Sequence, residues 1–113
     1  MMQYKQLGST GVRVSAIALG TATFGVAPDE ATAVRLVGRA LDLGINIFDT
    51  ANSYGNQARF DRPGAAPAAK RASAEEILGK ALVGRRNEVL VCSKVMEPVG
   101  DGPNDWGLSR LHI

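Results

Sequence analysis

Short apolar runs of strand length alternate along this chain with segments whose apolar residues recur at helical spacing, and this alternation limits the fold more than any other feature. Ala16-Ile17-Ala18-Leu19 has no polar interruption, as expected of a strand buried on both faces, and Gly20-Thr21 ends it. Asp29 is placed to cap a helix in which Val34, Val37 and Leu41 share one face and Arg35, Arg39 and Asp42 the other. Gly44 suits the position just past that helix, and Ile45, Ile47 and Phe48 lead as a second strand into Asp49. Ser73-Ala74-Glu75-Glu76 reads as a capping box ahead of Ile77, Leu78, Ala81 and Leu82, with both glutamates in capping and dipole roles. Val89 to Ser93 is then a third strand, with Lys94 at its C-terminal end. Ahead of all these, Tyr4 to Leu7 and Val12 to Ser15 alternate around Gly8-Ser9-Thr10-Gly11, the pattern of a β-hairpin. The predicted order is hairpin, β, α, β, α, β.

Strands joined through helices by short connections are parallel and wind right-handedly, which leaves a doubly wound sheet or a (β/α) barrel. Periodicity does not separate the two. A closed barrel takes about 250 residues and eight strands, so a chain of 113 residues with three core strands is expected to be an incomplete one. The open strand edges of such a piece invite self-association and leave it poorly stable by itself. Residues 56–72 and 97–107 lack periodicity and read as long loops, the first with Arg59, Arg62, Lys70 and Arg71 against the single acid Asp61. These basic residues are expected to form a solvated surface. Trp106, in the second loop, either rims a pocket or anchors the loop.

Charge and cysteine content exclude several classes. Thirteen basic against 11 acidic residues is too close to balance for a nucleic-acid or membrane-surface binder. The single cysteine, Cys92, forms no internal disulfide and has no partner at zinc spacing, so no metal site is expected. Its place in an apolar run suggests an inert core residue. The first residues lack the apolar core of a signal peptide, and no stretch has the length of a membrane span, so a cytoplasmic location is expected.

In parallel α/β folds, ligands meet the C-terminal ends of the strands, which here are Gly20-Thr21, Asp49 and Lys94. Tyr54 lies five positions after Asp49, in the connection between two of these ends. A phenol of ordinary pKa, about 10, donates protons poorly at neutral pH, and an adjacent cation brings that value down. Lys94 is placed to be that cation and Asp49 to hold it charged. An acid so built can protonate a carbonyl oxygen as hydride reaches the carbon.

The residues around this constellation resemble those of the aldo/keto reductases. Leu7-Gly8-Ser9-Thr10-Gly11 with Val14-Ser15 is similar to the family's opening, and Ala18-Leu19-Gly20-Thr21 to its first strand. Asn46-Ile47-Phe48-Asp49-Thr50-Ala51-Asn52-Ser53-Tyr54-Gly55 resembles the second-strand motif, the most specific of the set. Glu75 to Leu82 and Val91-Cys92-Ser93-Lys94 resemble the second helix and third strand. The resemblance implies residues 1–113 of a (β/α)8 barrel with an insertion at about 56–72. It further implies that Tyr54 is the proton donor, that Lys94 and Asp49 tune it, and that NADPH reduces an aldehyde or ketone.

Gly20, Thr21, Ala22 and Asp49 would then lie beside the nicotinamide. The family's catalytic histidine, at the end of a fourth strand, has no counterpart here. His112 does not supply it, because Leu108 to Ile113 resembles the start of the third helix. The insertion follows Tyr54 on the active face, where its basic residues either reach a phosphate or acidic substrate or displace Tyr54. Two other readings stay open. One is a catalytically silent fragment or regulatory binding module of the same fold; the other is a small flavodoxin-like domain with Thr21-Ala22-Thr23-Phe24-Gly25 as its phosphate loop.

Overall fold

A computed structural model describes all residues, 1–113. The hairpin is formed by β1 (Tyr4–Gln6) and β2 (Arg13–Ser15), which pair antiparallel with Lys5 opposite Val14. A second sheet holds three parallel strands in the order β3 (Leu19–Gly20), β4 (Ile47–Asp49), β5 (Leu90–Cys92). Helix α1 (Glu30–Asp42) joins the first pair of these strands and α2 (Ala74–Ala81) the second. A flavodoxin-like order would place the first parallel strand in the middle. Here β4 is central, so that reading is excluded, and the sheet stays open rather than closing into a barrel.

Both helices begin where the sequence places their caps. Asp29 accepts a hydrogen bond from the Thr32 amide (2.8 Å), and the Ser73–Glu76 box is reciprocal, with Glu76 Oε2 accepting from the Ser73 amide (2.6 Å). Gly44 follows α1 at φ +89°, and an added Cβ would lie 2.7 Å from Tyr4 Oη. That hydroxyl donates to the Gly44 carbonyl (2.8 Å), so the glycine lets the hairpin close on the helix end. Asn46 completes the junction: its Oδ1 accepts from Ser15 N (2.7 Å) and its Nδ2 donates to Arg13 O (3.0 Å).

The core lies between the sheet and the two helices. Ala33, Val37, Ala40 and Leu41 from α1 and Ile77 and Leu78 from α2 pack on Phe48, which is fully buried. Leu19 and Val91 stand in register with Phe48 and also pack into this layer. The next row, Gly20, Asp49 and Cys92, points to the other face, which no layer covers.

This one-sided cover corrects several expectations. The run Ala16 to Leu19 is not a doubly buried strand: only Leu19–Gly20 pairs, and Ile17 is 60% exposed. Ala16 is instead drawn into the hairpin, its amide bonding Gln3 O (2.8 Å). Cys92 is exposed rather than in the core, because its row faces away from the helices. The third strand is shorter than Val89 to Ser93, and Val89 itself is buried. Residues 108–113 form no helix; Ser109 caps a single turn, its Oγ accepting from His112 N (3.2 Å) and its carbonyl from Ile113 N (3.0 Å).

The loop 56–72 is not structureless. It contains two short 3-10 turns, Ala58–Phe60 and Ala68–Lys70. Arg71 is no solvated surface residue either, since its side chain is 2% exposed. The loop 97–107 is folded back by a Met96–Gly107 bridge and by Val99 N on Asp105 O (2.9 Å). No helix is long and apolar enough to cross a membrane.

Candidate active site

Residues at the ends of β4 and β5 meet on the uncovered face. Asp49 closes β4, and Lys94 follows β5 by two residues. The Lys94 ammonium donates to both carboxylate oxygens of Asp49 (2.9 and 3.0 Å) and to the Thr50 carbonyl (2.9 Å). It also sits 4.7 Å from the centroid of the Tyr54 ring. The three residues singled out in the sequence are therefore brought together, across two strand ends and the loop between them.

Lys94 and Asp49 are each nearly half exposed (45% and 46%), so their attraction is partly screened. Hydrogen bonding to Asp49 is the main cause that holds the Lys94 ammonium above the ordinary lysine value; desolvation opposes it and the Tyr54 phenol adds to it. Lys94 is consequently a permanent cation at neutral pH.

Tyr54 is fixed through its backbone. Its carbonyl accepts from Ala74 N (2.9 Å), the first residue of α2, so the insertion leaves and returns at the same point. Gly55 follows at φ +78°, and a Cβ there would overlap the Phe24 carbonyl oxygen. The insertion thus closes on Tyr54 without displacing it from Lys94.

The first strand contributes a small-residue surface beside Asp49. Gly20 and Ala22 are exposed on this side, and a Cβ at Gly20 would meet nothing within 4 Å. Thr21 is buried, and its hydroxyl and amide both donate to Asp49 O (3.0 Å each). Gly20 and Ala22 thus leave room for a flat ring against the strand end, while Thr21 locks β3 to β4. The following turn is not a phosphate cradle, because the amides of Phe24, Gly25, Val26 and Ala27 all bond to carbonyls of the chain.

Sequence reasoning missed three positioning residues. Ser93, next to Lys94, donates to Glu75 Oε1 and so ties the end of β5 to α2; Glu75 has this role besides its place in the first turn. Asn52 donates to Glu97 O (2.9 Å) and its carbonyl accepts from Asn56 Nδ2 (3.0 Å), joining the two long loops. Arg71 donates to the carbonyls of Gly55 (2.7 Å) and Gln57 (3.1 Å), just after Tyr54. Asn52 and Ser93 lie inside motifs that carry the family resemblance, and that was the only signal available for any of them. Trp106 is 62% exposed and anchors nothing in a core.

The chain belongs to the aldo/keto reductase family, whose model matches residues 16–113. It is 46% identical to YrpG of Bacillus subtilis (strain 168), described as an uncharacterized oxidoreductase, over 99% of this chain and 33% of that protein. It is 41% identical to a probable voltage-gated potassium channel subunit beta of Oryza sativa subsp. japonica, over 99% of this chain and 30% of that one. Among solved structures it is similar to the aldo-keto reductase AKR11C1 from Bacillus halodurans in its holo form, with a TM-score of 0.68 and 33% identity. That match covers 95% of this chain and 30% of the other. The chain spans about a third of the length of the curated relatives it matches. Its architecture is accordingly part of that family's barrel.

Proposed function

We propose that this chain carries the proton-donating site of an NADPH-dependent oxidoreductase that converts an aldehyde or ketone to an alcohol. The observation that supports this reading most is the Lys94 ammonium, held by Asp49 on one side and against the Tyr54 ring on the other. In this reading Tyr54 Oη gives its proton to the carbonyl oxygen, and Lys94 stabilises the phenolate left behind. Asp49 keeps the ammonium in place, and Tyr54 regains a proton from solvent. NADPH, when bound, supplies the hydride. Gly20, Ala22 and Asp49 would face its nicotinamide, with Thr21 holding that surface together. NADPH rather than NADH follows from the family resemblance, and a cytoplasmic setting is part of the same proposal.

A second reading, a regulatory binding module without turnover, is favoured by the similarity to proteins named as channel beta subunits. One experiment separates the two. NADPH binding is followed by quenching of Trp106 fluorescence, and reduction of an aromatic aldehyde by NADPH absorbance. Tyr54→Phe is expected to lower turnover about 100- to 10,000-fold. Turnover insensitive to Tyr54→Phe overturns the proton-donor assignment, and binding without turnover in the parent chain favours the module.

A further inference from the structure

The insertion places a guanidinium against the residue that precedes Tyr54. Arg59 donates to the hydroxyl of Ser53, the residue immediately before Tyr54 (3.2 Å), and its Cζ lies 5.3 Å from the centroid of the Phe60 ring. That ring in turn meets Tyr54 edge-on, with centroids 6.5 Å apart and planes at 79°. No carboxylate lies within ion-pair distance of Arg59. A cation fixed by an aromatic face and a buried hydroxyl, yet left without a counter-charge, has donors to offer a ligand.

The segment that presents it is built rigidly. The buried Arg71 donates from Nε to Gly55 O (2.7 Å), from Nη1 to Ala66 O (2.5 Å) and Asp61 Oδ1 (2.6 Å), and from Nη2 to Gln57 O (3.1 Å). One side chain therefore gathers carbonyls from both limbs of the loop. Arg59 and Phe60 lie on the 3-10 turn between two of these tethers, Gln57 and Asp61. Such an arrangement lowers the ordering cost a flexible loop would impose on binding.

We propose that Arg59 is a specificity-determining residue that recognises an anionic group on the substrate, so that the favoured substrate class is a carbonyl compound bearing a carboxylate. This rests on the reductase reading for the carbonyl, though not for the anion. The planar guanidinium matches a carboxylate, and the Phe60 ring, which contacts both Arg59 and Tyr54, links the proposed anion site to the phenol.

The test uses the 113-residue chain and two alcohols of the product type, 4-(hydroxymethyl)benzoate and the neutral 4-methylbenzyl alcohol, with binding measured by calorimetry. The parent chain is expected to prefer the carboxylate, and Arg59→Gln to lower that preference about 10- to 100-fold. Arg59→Lys should recover part of it, and Arg62→Gln, an exposed change elsewhere in the same loop, should leave it as in the parent. Equal preference in the parent and Arg59→Gln overturns the proposal, as does failure of the folded parent to bind the carboxylate. The matching aldehydes with NADPH separate the two readings: selective carboxylate binding with no reduction of either aldehyde leaves the anion site standing and removes the reductase.

Discussion

The two faces of the parallel sheet differ in kind. On the helix side, Phe48, Val37, Ile77 and Leu82 are buried, and every strand contributes to a continuous apolar layer. On the other side stand Gly20, Asp49 and Cys92, with no layer above them. The first face supplies cohesion and the second holds the proposed site. The Lys94–Asp49 pair needs room at a strand end, whereas the caps and apolar stripes of α1 and α2 bury the opposite rows. Placing the site on strand ends thus separates the residues that fold the chain from those proposed to act.

Substitution on each face tests this division most severely. Phe48→Ala is expected to cost about 3–5 kcal/mol, through lost burial and the cavity left between α1, α2 and the sheet. Ile17→Ala, at an apolar but exposed position of the segment ahead of β3, should change stability by less than about 0.5 kcal/mol. Denaturant unfolding of the two variants checks both values. A comparable loss in each would mean that something covers the exposed segment ahead of β3 in solution, with pairing between copies of the chain the first explanation to examine.

The sequence was readable where a residue's role is local. Asp29, Ser73 with Glu76, and Gly44 act on backbone within a few positions of themselves, so their caps could be placed from spacing alone. The clustering of Asp49, Tyr54 and Lys94 was also legible, because strand ends in a parallel sheet lie at one level. Burial of Ala16 to Leu19 and Cys92 was misjudged for a different reason. An apolar run states a preference for being covered, while cover depends on how many layers surround the sheet. Arg71 was illegible because a buried guanidinium needs carbonyls gathered from residues 55, 57 and 66, and no pattern in a basic loop announces that convergence.

Arg71 also qualifies the comparison, since it gives the open side a small polar core of its own. Arg71→Met keeps most of the stem's volume but leaves the Gly55, Gln57 and Ala66 carbonyls without their donor, at a local cost of about 2–3 kcal/mol. The change should loosen the loop rather than the helix layer. Tryptic cleavage after Arg59 is expected to rise roughly 10- to 100-fold while the denaturant midpoint moves little. A collapse of the midpoint instead would show that the loop and the helix layer unfold as one unit.

The smallest effect expected is in pH dependence, where the faces should respond at opposite ends of the scale. Hydrogen bonds to the Ser73 backbone first, and to its side chain next, hold Glu76 below the ordinary glutamate value near 4.5. A carboxyl whose value is depressed on folding stabilises above its unfolded pKa, and that contribution fades as the pH falls through the folded one. The Lys94 value is raised above 10.5, chiefly by its hydrogen bonds to Asp49, so its contribution is full below that pH and is lost as the pH rises beyond it. Half-exposed pairs contribute under about 1 kcal/mol and weaken with salt. Removing the lysine with Lys94→Met should therefore flatten only the alkaline limb of the stability profile, and Glu76→Gln only the acid limb. If Lys94→Met altered the acid limb as well, the pair on the open face would be coupled more strongly than its exposure implies.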